Sequence, residues 1–277
     1  MSVTQSTIEE TVHIALREDI GEGDITAELI PADAVSLASV ISRETCVFCG
    51  MDWFEEVFRQ IDEDVFVEWH VQDGDHIQAE ETICSLSGSS RSLLTGERTA
   101  LNFIQTLSAT ATVSSRYAAA VEGTNAVVLD TRKTIPGLRA AQKYAVTCGG
   151  CQNHRMGLFD AILIKENHIL AAGDIQTAVE EARFHSPGYP VEIEVETLTQ
   201  LQAAIDAGVD RVLLDNFTTD EIEKAVKISN GKIPLEASGG ITLDNIRQYA
   251  ETGVDYISTG SLTKDIIAID LSMRFSM

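Results

Sequence analysis

Residues 191–216 read VEIEVETLTQLQAAIDAGVDRVLLDN, and this stretch decides the fold. Val191–Val195 is a short run of apolar residues alternating with Glu192 and Glu194, the pattern of a strand. Leu198–Ala207 carries a helical pattern. Gly208 follows at once, where a helix end needs a left-handed residue. A second apolar run, Val212–Leu214, then ends in Asp215-Asn216. Strand, helix and strand in succession predict two parallel strands joined by a crossover helix.

Working outward, the same alternation continues on both sides. Further strand-like runs are Ala126–Leu129, Ala161–Ile164, Ile233–Leu235 and Tyr256–Ile257. Helical patterns lie at Ile175–Arg183, Thr219–Ile228 and Leu243–Thr252. The turn Ala207-Gly208-Val209-Asp210 returns as Thr252-Gly253-Val254-Asp255. Six such units are two short of a closed eight-fold barrel, so the expectation is an incomplete β/α barrel. Upstream, Glu97–Val121 predicts one long helix rich in Ala, Ser and Thr. Residues 1–96 predict a small α+β domain. It starts with a helix opened by a capping box at Ser6–Glu9, with Ile8, Val12, Ala15 and Leu16 on one face. That helix stops at the Gly-rich turn 19–24. Strand-like runs follow at Val35–Ile41, Cys46–Cys49, Val65–Val71 and Thr82–Leu86, around a helix at Trp53–Ile61 and a hairpin-style turn at Asp73–Ile77. That turn is similar to one in small biotinyl or lipoyl carriers, but no lysine lies between 44 and 132 to be modified.

The chain has 277 residues, 44% hydrophobic and 23% charged, the composition of an ordinary globular protein. No apolar run is long enough to span a membrane, and the acidic start lacks a secretory core, which predicts a cytoplasmic protein. Twenty Lys and Arg stand against 43 Asp and Glu, a net charge of −23. Such a chain repels nucleic acid and anionic membranes. Residues 130–165 invert the sign, with Arg132, Lys133, Arg139, Lys143, Arg155 and Lys165 against Asp130 and Asp160 only. A cationic island in an acidic chain suggests a site for a small, multiply charged anion.

Cys46, Cys49, Cys148 and Cys151 form two C-x-x-C pairs, and Cys84 makes the count odd. Four cysteines so spaced can ligate zinc, but their apolar and Gly-rich context argues against it. No protein-held metal is expected, nor structural disulfides.

Reactive groups of a β/α barrel sit at the carboxyl ends of its strands. There the sequence puts Asp130-Thr131-Arg132-Lys133, Lys165-Glu166-Asn167-His168, Glu192/Glu194/Glu196, Asp215-Asn216, Glu236-Ala237-Ser238-Gly239-Gly240 and Ser258-Thr259-Gly260-Ser261. Polar loops alone would give polar strand ends, but not an outright charge beside the last apolar residue in five of six cases. The two glycine-bearing loops suit a phosphate, which backbone N–H groups can then approach. Arg132, Lys133, Arg155 and Lys165 supply positive charge, and arginine grips a carboxylate bidentately. Glu194 and Asp215 can hold hydroxyls, magnesium or a developing cation. The residues themselves thus indicate a barrel enzyme acting on a phosphorylated, multiply anionic small molecule.

These motifs closely resemble the quinolinate phosphoribosyltransferase family over nearly the whole chain. They are EDIGEGDIT at 18–26, ERTALN at 97–102, DTRKTIPGLR at 130–139, KYAV at 143–146, NHR at 153–155, LIKENH at 163–168, EIEVE at 192–196, LDNF at 214–217 and EASGGI at 236–241. The resemblance implies an N-terminal α/β sandwich domain over 1–110 and a C-terminal incomplete TIM-like barrel, the phosphoribosyltransferase domain, over 111–277. It implies transfer from phosphoribosyl pyrophosphate to quinolinate in NAD biosynthesis, with magnesium carried by the pyrophosphate. It further implies a homodimer, or a hexamer built from such dimers, with Arg98 entering the partner's site. Quinolinate falls to Arg98, Thr131, Arg132, His154, Arg155 and Lys165. Catalysis and the donor fall to Lys133, Glu194 and Asp215, and the 5′-phosphate to Ser238, Gly239, Gly240, Thr259, Gly260 and Ser261. Two positions depart from the family pattern: Lys264 replaces a common histidine, and Cys151 replaces a glycine, which strains the chain if a positive φ is needed. The alternatives are a same-fold paralogue associated with molybdenum uptake, which a reduced arginine set would mark, nicotinate phosphoribosyltransferase, and a non-catalytic phosphosugar-binding module.

Overall fold

The computed structural model describes residues 3–276. In chain order it forms α1 (Gln5–Ile20), β1 (Val35–Ser42), β2 (Cys46–Val47), α2 (Met51–Ile61), β3 (Phe66–Trp69), β4 (His76–Ile77), β5 (Thr82–Ser89) and α3 (Ser90–Ala120). Then come β6 (Val127–Leu129), α4 (Arg139–Cys148), β7 (Ile162–Ile164), α5 (Glu166–Ala172), α6 (Ile175–His185), β8 (Val191–Val195), α7 (Leu198–Ala207), β9 (Arg211–Asp215) and α8 (Thr219–Ser229). The chain closes with β10 (Leu235–Ser238), α9 (Ile246–Ala250), β11 (Tyr256–Ser258), α10 (Ser261–Lys264) and β12 (Leu271–Ser276). The class is α/β, as the sequence predicts.

Two compact units divide the chain. The first takes residues up to Ser115, Ile135–Gly150 and those from Asp265 onward. Its main sheet has the antiparallel order β12-β1-β5-β3, and β2 pairs with β4 beside the predicted Asp73–Ile77 turn. Ile8, Val12 and Leu16 of α1 and Trp53, Phe54, Val57 and Phe58 of α2 are buried in its core. Each fully buried side chain of this size contributes roughly 1.5–3 kcal/mol. The Ser/Thr content of α3 has a specific use. Ser108 Oγ accepts the Cys49 N–H at 3.0 Å, and Thr112 Oγ1 accepts that of Val47 at 2.9 Å. Helix side chains thus satisfy backbone groups that the short β2 leaves unpaired.

The second unit takes 116–134 and 151–264. Its six strands are all parallel, in the order β6-β11-β10-β9-β8-β7. Val191, Ile193, Val195, Val212, Leu214, Ala237 and Ile257 are fully buried on it. No pairing of β6 with β7 closes the ring among the described residues, so the barrel is incomplete, as six units imply. Helix α7 and strand β8 fall where the periodicity puts them, and Gly208 takes the left-handed conformation that ends α7.

Several local expectations change. Thr4, rather than Ser6, caps α1, its Oγ1 accepting the Thr7 N–H at 3.4 Å. Helix α3 starts seven residues before Glu97, and α9 is shorter than Leu243–Thr252. Strand β10 lies two residues later than Ile233–Leu235, which moves Glu236 from the strand's end into its body. Helices α4 and α5 and strand β12 carry no prediction from the sequence. Cys151 does not adopt a positive φ; Gly150 does, at 86°, so the cysteine is unstrained. Among the described residues no helix is long and apolar enough to cross a membrane.

Gly149 follows α4 where backbone meets backbone. A Cβ there would lie 2.3 Å from the Ala111 carbonyl oxygen and 2.5 Å from Ser114 Cβ. Gly149→Ala should therefore destabilise the protein by about 3 kcal/mol, the upper range for overpacking. Urea denaturation checks this; an unchanged midpoint would mean that α4 does not pack on α3 here.

Candidate functional site

At the carboxyl ends of the parallel strands of the second unit, Lys165 follows β7 and forms an ion pair with Glu194 of β8. Asp215 ends β9 opposite Ser238, the last residue of β10. Burial raises the Asp215 carboxyl above its ordinary range. Glu194 adds to this, while Lys165, Asn216 and Lys133 oppose it. Lys133, Lys165, Glu194 and Asp215 therefore share one electrostatic neighbourhood, as the strand-end reading expects.

The loop after β6 is fixed through its backbone. Thr131 Oγ1 accepts the Lys133 N–H at 3.1 Å, and the Thr263 hydroxyl donates to the Lys133 carbonyl at 2.8 Å. The Lys133 side chain runs over Gly260, where a Cβ would stand 2.9 Å from Lys133 Cδ and 3.4 Å from Lys264 Cε. Lys264 thus puts a second cation at this loop. Thr259 Oγ1 donates to the Ile241 carbonyl at 3.0 Å and accepts the Ser261 N–H at 3.3 Å, tying the two glycine loops together. In the other loop a Cβ on Gly239 would meet Asn216 Oδ1 at 2.2 Å, and φ there is +100°. Gly240, also at positive φ, has nothing within 4 Å of its Cβ position. At Gly240 the chain thus offers backbone beside open space, which suits an anion.

Arg132 and Arg155 come together despite their like charge. Asp130, fully buried at the end of β6, accepts the Asn153 Nδ2–H at 2.7 Å and the His154 N–H at 2.9 Å. This draws segment 153–155 against the strand that leads into Arg132. Burial, then repulsion from Arg132, pulls the Arg155 guanidinium below its usual range. Arg155 donates to the Ala161 carbonyl at 3.2 Å, whereas Arg132 Nε is buried without a partner. Two adjacent guanidinium groups, one with an orphaned donor, form a receptor for carboxylates.

Beneath them lies a cluster of polar groups that sequence reasoning did not assemble. His154 Nε2 is 2.9 Å from Glu192 of β8 and 3.4 Å from Glu236 of β10. Arg211, at the start of β9, reaches Glu236 at 3.1 Å and lies over the Tyr256 ring at 4.2 Å. Burial opposes the charged imidazole, but the two carboxylates push it up to about 9. The Arg155 N–H nevertheless points at His154 Nδ1 from 2.7 Å. That bond requires a bare Nδ1, so geometry decides the tautomer: His154 carries its proton on Nε2 and donates it to the glutamates. Burial raises the Glu192 carboxyl, whereas His154, Ser258 and Arg211 outweigh burial to hold Glu236 below its ordinary range. The available signal was a Glu inside each of two apolar runs and an Arg opening a third.

Arg98 is exposed on α3, in the first unit, with no ion pair among the described residues. The four-cysteine zinc arrangement does not form. Cys49 and Cys148 approach each other, Cys46 contacts Ser42 at 3.8 Å, and Cys151 is buried in the second unit.

Two family models match the chain: quinolinate phosphoribosyl transferase, N-terminal domain, over residues 24–108, and its C-terminal domain over 110–274. The probable carboxylating nicotinate-nucleotide pyrophosphorylase of Bacillus subtilis is 42% identical over 262 residues, covering 94% of this chain and 90% of that protein. The carboxylating nicotinate-nucleotide pyrophosphorylase of Mycobacterium leprae is 41% identical, covering 95% of each. The solved structure of the nicotinate-nucleotide pyrophosphorylase from Francisella tularensis is 48% identical with a TM-score of 0.97, covering 99% of this chain and 98% of that one.

The buried cluster makes a measurable demand. Arg211→Met should cost roughly 3–5 kcal/mol at neutral pH, because it strands the Glu236 charge. Glu236 would then bind a proton more readily folded than unfolded, so stability falls as pH rises and the deficit shrinks in acid. Urea titrations across pH test this; a deficit independent of pH would mean that Glu236 is already neutral.

Proposed function

The chain belongs to the quinolinate phosphoribosyltransferase family, and on that premise we propose how its own residues carry the reaction. The enzyme joins quinolinate to 5-phosphoribosyl 1-pyrophosphate, releasing pyrophosphate and carbon dioxide and leaving nicotinate mononucleotide, a step of NAD biosynthesis. One observation supports this most: Arg132 and Arg155 stand together in a chain of net charge −23, close enough to repel, with the buried Arg132 Nε lacking a partner. A pyridine with two adjacent carboxylates supplies the missing charge.

In this reading Arg132 and Arg155 bind the dicarboxylate, with Lys165, Thr131 and the His154 edge beside them. The donor lies across Lys133, Glu194 and Asp215, its 5′-phosphate on Ser238–Gly240 and Thr259–Ser261. Magnesium arrives as part of the donor substrate, and Glu194 and Asp215 offer the hard oxygen ligands it favours. Lys133 draws charge from the leaving pyrophosphate. As the C1′–oxygen bond breaks, positive charge develops on the ribose, where the two carboxylates stabilise it. The ring nitrogen donates its lone pair to C1′ and becomes cationic. The neighbouring carboxylate then leaves as carbon dioxide, its bonding pair held by the ring until a proton fills the vacated carbon. No strong protein base is needed; the protein's task is to hold two mutually repelling anions in contact. The intact arginines and the intact Lys133, Glu194 and Asp215 disfavour the molybdenum-associated paralogue and the non-catalytic module.

Purified protein given quinolinate, phosphoribosyl pyrophosphate and magnesium should release carbon dioxide and nicotinate mononucleotide in equal amounts. Arg132→Ala and Arg155→Ala should each weaken quinolinate binding by about 2–5 kcal/mol and donor binding far less. Isotherms with unchanged quinolinate affinity in both variants would remove the arginine pair from the site.

The exposed, unpaired Arg98 suits a shared site, so we infer a cytoplasmic homodimer in which each Arg98 serves its neighbour. The alternative, a surface arginine near Glu97, would contribute about 0–1 kcal/mol. Arg98→Ala and Lys133→Ala chains, each inactive alone, should regain activity when mixed. Random pairing leaves roughly a quarter of all sites intact under two-fold symmetry. Activity that stays at the mutant level after proven subunit exchange would mean that Arg98 works within its own chain or not at all.

A further inference from the structure

One cluster in the first unit has no part in this reaction. Cys49 follows β2, and Cys148 ends α4. Their sulfurs and a carboxylate oxygen of Asp73 all lie within 4.8 Å of one another. Tyr144 stands beside them, its hydroxyl donating to Asp73 Oδ2 at 2.8 Å and within reach of the Cys148 sulfur. The two cysteine backbones are anchored on one helix, α3. Ser108 holds Cys49 from both sides, accepting its N–H at 3.0 Å and donating to its carbonyl at 3.3 Å. Gly149 seats the end of α4 against Ala111 and Ser114 of the same helix. The scaffold therefore keeps the sulfurs close although the residues are far apart in sequence.

The five cysteines are not equivalent. Four are buried, and Cys148 is the one that is only partly buried. Burial pushes the Cys46, Cys49, Cys84 and Cys151 thiols up. The Cys148 thiol alone is held below its ordinary range, chiefly by the hydrogen bond from Cys49, against burial and Asp73. Thiolate character, access and an adjacent second thiol are what a peroxide-reactive cysteine requires.

We propose that Cys148 and Cys49 form a reversible oxidation site, with Cys148 attacking a small peroxide and Cys49 closing the disulfide. In the first step the Cys148 thiolate takes one oxygen of hydrogen peroxide as the O–O bond breaks, giving a sulfenic acid and hydroxide. In the second the Cys49 sulfur, losing its proton, displaces water to form the S–S bond. Two thiols and one peroxide thus become a disulfide and two waters, and a thiol reductant reverses the change. A metal site fits the same residues less well. Asp73 Oδ1 is committed to the Gly50 and Met51 N–H groups at the start of α2, and Oδ2 accepts from Tyr144, so the carboxylate is already engaged and two sulfurs alone make a poor metal ligand set.

The full-length protein, reduced and then exposed to hydrogen peroxide, should lose the mass of two hydrogens. Alkylation, digestion and fragment-ion sequencing should show Cys49 joined to Cys148, with Cys46, Cys84 and Cys151 alkylated. Cys49→Ser removes the resolving thiol, so Cys148 should accumulate as a sulfenic acid trapped by dimedone. Cys148→Ser should abolish both signals, and Tyr144→Phe should slow the first step. The wild-type reaction stands even if a variant does not fold. A link between other cysteines, a Cys148 still alkylated after peroxide, or stoichiometric zinc on the purified protein shielding both thiols would each overturn the proposal.

Discussion

The arrangement of cations depends on the buried carboxylate of Asp130. It follows β6 directly and accepts N–H groups from Asn153 and His154. Together with the backbone bonds from the Gln152 N–H to the Val128 carbonyl at 2.9 Å and from the Asp130 N–H to the Gln152 carbonyl at 3.1 Å, it draws the segment that carries Arg155 to the strand that leads into Arg132. The cost of bringing two guanidinium groups together is thus met by hydrogen bonds one residue away from each pair member's neighbour, and not by an acid between the guanidinium groups themselves. That separation leaves the guanidinium fork free to meet a substrate. An acid placed between the arginines would stabilise the apo protein and compete with the ligand.

Below that level the barrel interior follows the opposite rule. Glu192, Glu236, His154 and Arg211 pair with one another through short contacts, and Tyr256 covers the guanidinium. One layer of charge is paired within the protein, although one oxygen each of Glu192 and Glu236 is buried without a partner, and the layer above it is open to ligand. The two layers come from the same strands, two residues apart: Glu192 and Glu194 on β8, Glu236 and Ser238 on β10. The two-residue period of a strand puts both on the same face, at successive depths.

Much of this was legible in sequence. The alternation around 191–216 gave the parallel sheet because each strand and helix there is short, apolar and bounded by a glycine turn. The strand-end charges of β7, β8 and β9 were also readable, since loops begin where apolar runs stop. What escaped notice had physical reasons. Glu236 broke the apolar run of β10, and only Arg211 and His154, from other elements, make its burial tolerable. Helix α4 buries Gln142 and Lys143 beside Ala141, Ala145 and Val146, so its short apolar period is interrupted by polar residues. The alternation Leu271, Met273, Phe275 in β12 is visible, but its partner β1 lies roughly 230 residues earlier, and pairing at that range leaves no local trace. The Asp130 carboxylate looked like one more polar strand end, although it binds the segment that leads into Arg155.

Strand β12 also bears on how the chain can be made. It hydrogen-bonds to β1 along Leu37–Ser42 and so covers one edge of the first sheet. On a ribosome, β1 and β5 emerge early, whereas Leu271 follows about 180 residues after Ser89. At about 5–20 residues per second, that edge waits roughly 10–40 seconds for its partner. During that interval the nascent protein exposes an unpaired strand, the kind of surface that recruits chaperones or neighbouring chains on the same message. The second unit, whose strands all lie between residues 127 and 258, can finish first. Translation order and folding order are therefore reversed: the domain whose synthesis starts first is the last to be completed.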